Sequence, residues 1–194
     1  MRIDRLVVAS KNPDKITEIT EVLRESGLNV ELVEGLAWPD IDETGETLEE
    51  NALKKAHEVF GATGIPALSD DTGLFVDALP GLPGVNTARF AGADATHAEN
   101  VELLLEKMKG IEDRAASFRT VVALVSGDGE LVAEGVLAGF IAQAPRGSGG
   151  FGYDPVFELN DGRTLAELQD NAQNSLSHRA IALRNLFGRL GYTS

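Results

Sequence analysis

The chain has 194 residues, of which 43% are hydrophobic and 25% charged, with no cysteine and a formal net charge of −14 at pH 7. That length suits one substantial core rather than two independent ones, and the composition is ordinary for a soluble globular domain. Without cysteine, disulfides and thiolate chemistry are excluded, and the acidic balance argues against DNA, RNA or an anionic membrane as partner, since each needs a basic face.

No apolar run is long enough to cross a bilayer, and Met1-Arg2-Ile3-Asp4-Arg5 is not followed by an apolar stretch of signal-peptide length. A cytoplasmic location is therefore the expectation. An acidic protein can still take a small polyanion, provided that its few Lys and Arg residues gather locally and a metal assists.

In chain order, Leu6-Val7-Val8-Ala9 reads as a short buried strand. Beyond Ser10 and Lys11, Asn12 suits a helix N-cap and Pro13 the first helical position. Ile16, Ile19, Val22 and Leu23 then share one face of a helix ending near Gly27. Lys15 is out of place, because a cation in the first turn meets the positive end of the helix dipole. A bound anion would reverse that cost; pairing with Asp14 or Glu18 is the alternative. Val30 to Val33 reads as a second strand. The acidic loop Asp40-Ile41-Asp42-Glu43-Thr44-Gly45-Glu46 is either solvated surface or the source of a carboxylate for a metal. Thr47 with Glu50 forms a capping box, opening a helix with Leu48, Ala52, Ala56, Val59 and Phe60 inward and His57 outward.

Ile65 to Leu68 predicts a strand that delivers Ser69-Asp70-Asp71-Thr72-Gly73 into a loop before a further strand, Leu74 to Val76. Adjacent carboxylates repel most where water is scarce, and a divalent cation or a raised pKa relieves them. A solvated acidic turn is the alternative. A turn-rich loop, Leu79 to Gly84, leads into Val85 to Gly92. A helix from Thr96 to Lys109 carries Val101, Leu104, Leu105 and Met108, with His97 exposed in its first turn. Phe118 to Ser126 and Leu131 to Ala142 are β-rich, joined by the hairpin signal Gly127-Asp128-Gly129. Gly147, Gly149, Gly150 and Gly152 then crowd around Phe151. Glycine lets backbone come close to a ligand, and Phe151 offers a stacking face for a base; a hairpin loop with a packed phenylalanine is the alternative. Leu165 to Leu168 reads as a helical turn and Asp170 to Ser175 as a polar stretch. Ser177 caps a last helix, Ala180 to Leu190, with Leu183, Leu186, Phe187 and Leu190 inward. His178 and Arg179 in its first turn repeat the anomaly of Lys15, and two such anomalies point to a phosphate site.

Taken together, these motifs resemble the inosine triphosphate pyrophosphatase family. Ser10-Lys11-Asn12-Pro13-Asp14-Lys15 resembles its (Ser/Thr)-x-Asn-x-x-Lys element, and Ser69-Asp70-Asp71-Thr72-Gly73-Leu74 its acidic motif. Pro83-Gly84-Val85-Asn86-Thr87-Ala88-Arg89-Phe90 resembles its Pro-Gly-x-x-(Ser/Thr)-Ala-Arg-(Phe/Tyr) element. Gly149-Gly150-Phe151-Gly152-Tyr153-Asp154-Pro155 and Ser177-His178-Arg179 complete the set. Their order and spacing cover essentially the whole chain, and the bacterial branch acting on unusual purine nucleotides is most similar.

The resemblance implies an α/β fold, with an elongated mixed sheet flanked by helices and two lobes around a cleft. It implies Mg²⁺-dependent hydrolysis of dITP, ITP or XTP to the monophosphate and pyrophosphate, by a homodimer. Asp71 matches the general base and a metal ligand, Glu43 a second metal carboxylate, and Asp70 a supporting carboxylate. Ser10, Lys11, Asn12, Pro13, Asp14, Lys15, Thr72, Phe151, Gly152, Tyr153, Asp154, His178 and Arg179 match nucleotide-binding positions. Gln173 stands where many relatives place a nucleotide-contacting lysine, with Arg146 or Lys11 as candidates to compensate. Donors on Arg179 or His178 facing a 6-oxo group would favour hypoxanthine and xanthine over adenine. An aspartyl-phosphate mechanism fits less well, because Leu68 stands where its first aspartate would be.

Overall fold

The structure is a computed structural model that describes residues 3–168 and 176–191. The described elements are β1 (Arg5–Val8), α1 (Pro13–Glu25), β2 (Glu31–Leu32), α2 (Leu48–Thr63), β3 (Ala67–Val76), β4 (Pro83–Gly84), α3 (His97–Lys107), β5 (Ala115–Ser126), β6 (Gly129–Ile141), β7 (Phe157–Glu158) and α4 (His178–Arg189). The strands form one mixed sheet in the order β2-β1-β3-β5-β6-β7, with β4 paired to β3. β1 runs parallel to β2 and β3, whereas β4 and β7 are antiparallel to their neighbours. The expected α/β class with a mixed sheet and flanking helices is what the chain adopts.

The local signals act as their chemistry predicts. Asn12 Oδ1 accepts from the backbone N–H groups of Asp14 and Lys15, so α1 starts at Pro13. The Thr47–Glu50 box caps α2, and Thr96 with Glu99 caps α3 in the same way. Each box satisfies amide groups that have no partner inside the helix.

The acidic stretch departs from its expectation. Ser69 to Gly73 is not a loop between two strands but the middle of one ten-residue strand, β3. Side chains alternate along a strand, and here both faces of β3 have something to bury. Leu68 packs into a core with Leu6, Ile19, Val22, Leu183 and Leu186, against α1 and α4. Ala67 joins Val7, Ala9 and Val59 on the side of α2, and Ser69 Oγ donates to the carbonyl of Ala52 in α2 at 2.5 Å. The turn-forming residues were overridden because their polar side chains find partners within the protein.

Compactness divides the chain into two units. One comprises the described residues up to Asp71, Thr120–Gly135 and those from His178 onward; the other comprises Thr72–Arg119 and the described part of Val136–Ser177. Each has its own apolar core, the second built around Leu74, Leu104, Met108, Phe118, Tyr153 and Phe157. None of the helices among the described residues is long and apolar enough to cross a membrane.

In the first unit, the approach of α4 to β6 depends on Gly135. A Cβ there would lie 2.1 Å from the His178 carbonyl oxygen and 2.3 Å from the Ala182 nitrogen, both backbone atoms that cannot swing aside. Gly135→Ala is expected to lower the stability measured by urea unfolding by about 1–3 kcal/mol or more, the range for overpacking.

Candidate active site

Alternation along β3 sends its two aspartates in opposite directions. Asp70 follows Leu68 toward α1 and α4, where it is 1% exposed. Its Oδ2 lies 3.1 Å from Lys15 Nζ and accepts from Arg179 Nε at 3.0 Å. Arg179, also 1% exposed, donates through Nη1 to Glu18. Although burial pushes the Asp70 carboxyl upward, Lys15, Arg179 and Lys55 together hold it well below the usual carboxylate range. Asp70 is thus a fixed negative charge.

This arrangement accounts for the cations at the two helix starts. The anion that offsets Lys15 and Arg179 within the protein is the Asp70 side chain, with Glu18 on Arg179. His178 is not a cation. It is buried, its Nδ1 lies 2.5 Å from Thr120 Oγ1, and burial, helped by Arg179, pushes its pKa well below the ordinary histidine value.

Asp71 turns the other way, toward α2 and the loop before it. Asn51 Nδ2 donates to its Oδ2 at 3.1 Å, and Lys55 Nζ lies 3.4 Å from its Oδ1. Lys55 also donates to Glu43 Oε1 at 2.5 Å. Burial raises the Asp71 pKa above the ordinary aspartate value, with further upward pushes from Glu43 and Asp70 that outweigh Lys55 and Lys15. Burial disfavours the Lys55 ammonium, yet Asp71, Asp70 and Glu43 reverse that and raise its pKa. The two carboxylates read as metal ligands therefore converge on one ammonium. The two neighbouring carboxyls are thus shifted in opposite directions, Asp71 up and Asp70 down.

The other predicted residues of the first unit lie at the start of α1. Ser10 Oγ accepts from the Asn12 N–H at 3.2 Å, and Lys11 pairs with exposed Asp40 at 2.5 Å. Asp14 is exposed in the first turn. Ser10 and Lys11 also line a cavity of about 500 Å³ together with Val8, Leu32 and Trp38.

In the second unit, Thr72 continues β3. Phe151 is partly buried, with its N–H donating to Asp154 Oδ2 at 2.9 Å. The Gly152 N–H donates to His97 Nδ1 at 3.3 Å. Tyr153 is buried, its hydroxyl donating to the Thr87 carbonyl at 2.9 Å. Gly147 serves the loop's own packing: a Cβ there, at φ +80°, would sit 2.3 Å from the Ala166 carbonyl oxygen. Arg146 pairs with Glu158 at 2.7 Å and Glu167 at 3.3 Å. Gln173 lies outside the described residues.

Asn51 and Lys55 were missed from sequence, though a signal was present. On α2, positions 48, 51, 52, 55, 56 and 59 form one helical stripe. Leucine, alanines and valine occupy the rest of it, so an asparagine and a lysine on that face needed internal partners.

Comparison with known proteins identifies the family. The Ham1 family model matches residues 6–189, and the chain belongs to that family. It is 46% identical over 190 residues to a protein of Aromatoleum aromaticum named dITP/XTP pyrophosphatase, covering 96% of each chain. A HAM1 protein from Coxiella burnetii superimposes with a TM-score of 0.89 at 42% identity, covering 97% of this chain and 99% of that one. A Mycobacterium abscessus crystal structure titled nucleoside-triphosphatase / dITP/XTP pyrophosphatase gives 0.76 at 43% identity, covering 96% and 99%.

Two predictions follow from the charges. Asp70→Asn is expected to cost about 3 kcal/mol or more in urea unfolding, because it leaves buried cations under-compensated. In the wild type, the Asp70 contribution is complete above the ordinary value of 3.8 and is lost as pH falls through its lower folded pKa. His178 acts at higher pH. Its folded pKa lies below the ordinary 6.5, so the unfolded chain takes up a proton first and stability falls as pH drops below that value. Unfolding free energies between pH 7 and 5 should therefore show a slope approaching about 1.4 kcal/mol per pH unit that His178→Asn removes.

Proposed function

We propose that the protein hydrolyses unusual purine nucleoside triphosphates, dITP, ITP and XTP, to the monophosphate and pyrophosphate, and so cleanses the nucleotide pool. The observation that carries this reading is the division on β3: Asp70 paired with Lys15 and Arg179, beside a buried Asp71 that shares Lys55 with Glu43 and has a raised pKa. The names of the relatives, dITP/XTP pyrophosphatase, support the substrate class.

Asp71 is the general base. A carboxylate with a raised pKa accepts a proton more readily than an ordinary one, and Asp71 takes the proton of the water that attacks the α-phosphorus. Asn51 donates to Asp71 Oδ2, which leaves Oδ1 on the side of Lys55. Lys15 and the Asn12-capped start of α1 bind phosphate oxygens, as helix N-termini do. Lys55 supplies positive charge against the leaving pyrophosphate. Thr72, Phe151 and Gly152 are proposed nucleotide contacts, Phe151 through a ring suited to stacking on a base.

The residues present also suit Mg²⁺. Among the described residues there is no cluster of three or more acidic or histidine ligands, but Mg²⁺ is commonly held by one or two carboxylates plus substrate phosphates. Glu43 and Asp71 provide that pair, and their shared ammonium marks the place as one that attracts a cation. Bound there, Mg²⁺ would lower the pKa of its water and offset phosphate charge. A homodimer is part of the reading. It is supported by an outward apolar stripe on β6, where Val136 and Phe140 are both 42% exposed. No DNA, RNA or membrane partner is proposed for a chain of net charge −14, and its proposed location is cytoplasmic.

A nucleotide panel with Mg²⁺, assayed for pyrophosphate, tests the reading. ITP and XTP should turn over well above ATP and GTP, with pyrophosphate as first product. Orthophosphate as first product, or equal rates across the panel, would reject it. Asp71→Asn should lower turnover about a hundredfold or more, as loss of a general base does; a variant within about threefold of wild type refutes the assigned role. EDTA should abolish turnover, and added Mg²⁺ restore it.

A further inference from the structure

Asn51 has the burial and the bonds of a working part, not of a helix-surface residue. It is 3% exposed on the inward stripe of α2. Its amide is used at both ends. Nδ2 donates to Asp71 Oδ2 at 3.1 Å, and Oδ1 accepts from the Gly45 N–H at 2.8 Å. One planar group therefore ties the backbone of the loop carrying Glu43 to the carboxylate on β3.

The loop is shaped to permit this contact. Gly45 has no side chain, and a Cβ placed there would lie 2.7 Å from Asn51 Oδ1 and 2.8 Å from Glu50 Cβ. The neighbouring amides are held by the same helix, the Glu46 and Thr47 N–H groups donating to Glu50 Oε2 at 2.7 and 3.2 Å. Lys54 Nζ adds a bond to the Asp42 carbonyl at 2.6 Å. The first turns of α2 thus fasten the loop from both sides of Glu43.

We propose that Asn51 is a positioning residue: it fixes the orientation of the Asp71 carboxylate and registers the Glu43 loop against it through Gly45. The chemistry favours an amide over its isosteres. An aspartate could still accept from Gly45 but would set a second carboxylate against Asp71. An alanine could do neither. With Oδ2 occupied by Asn51, Asp71 keeps one oxygen directed at Lys55, and the carboxylate cannot turn freely about its Cβ–Cγ bond. Misplacement of a catalytic group by an ångström is enough to cost orders of magnitude in rate.

The inference rests on Asp71 acting as general base, and the test separates the two. Asn51→Ala, Asn51→Asp and Gly45→Ala are assayed with ITP and Mg²⁺, alone and combined with Asp71→Asn. Each single change is expected to lower kcat about tenfold or more with KM within about threefold, the pattern for an interaction that matters in the transition state. In the Asp71→Asn background, Asn51→Ala should cost nothing further, because a double-mutant cycle cancels an effect that acts through the deleted group. Amide exchange at Gly45 should stay slow in Asn51→Asp and become fast in Asn51→Ala. Asn51→Asp and Gly45→Ala carry the test should Asn51→Ala fail to fold. Wild-type kcat in Asn51→Asp, or an equal loss from Asn51→Ala with and without Asp71, overturns the proposal. Full turnover in Asp71→Asn alone would instead overturn the general-base reading beneath it.

Discussion

The buried carboxylate of Asp70 is the constraint on which the first unit depends. It draws a lysine from the start of α1 and an arginine from the start of α4 onto one edge of a single side chain. A buried ion pair is not by itself strong evidence for stability, because desolvation offsets much of the attraction. Its geometry is nonetheless specific. Two helix starts, each unfavourable for a cation, are brought to the one strand position that carries a compensating charge. The apolar contacts of Ile19, Val22, Leu183 and Leu186 with Leu68 then follow on the same face.

That use of Asp70 is what frees Asp71. Had both aspartates sat in a solvated turn, they would have been alike, each near its ordinary pKa. Placed in the middle of a strand, they are separated by the pleat, and their surroundings separate their chemistry. One has buried cations and stays ionised. The other has an amide, one shared ammonium and an acidic neighbour, and its pKa rises. Two residues of one type thus acquire opposite electrostatic surroundings because backbone alternation points them to different faces of the strand.

Much of this was legible in the sequence, and what was not has physical causes. The Asn12-Pro13 start of α1, the Thr47–Glu50 box and the hairpin at Gly127-Asp128 are local, and local rules predicted them. The acidic stretch was read as a loop because Ser, Asp and Gly favour turns when they must find partners in water. Its partners, Lys15, Lys55, Asn51 and Arg179, come from helices as much as 109 residues away, and no local rule reports them. The same distance hid the reason for the helix-start cations. Their anomaly was real, but it pointed first to an internal carboxylate. Asn51 and Lys55 were readable as polar interruptions of an apolar stripe, and their partner could not be read from α2 alone.

Several cations of this acidic chain are paired with carboxylates of its own. Lys11 is held by Asp40, and Arg146 by Glu158 and Glu167, so neither is a ready substitute for a lysine at the position of Gln173. Arg179 is enclosed by Asp70 and Glu18. Lys55 differs in that it faces Asp71, the carboxylate central to the proposed chemistry, and Lys15 in that it is less enclosed than Arg179 beside the same Asp70. Under the proposed function, Glu43 and Asp71, which share the Lys55 ammonium here, would hold a divalent cation that arrives with the triphosphate and offsets part of its charge. A triphosphate that brings its own countercharge would need no basic surface on a protein with a net charge of −14.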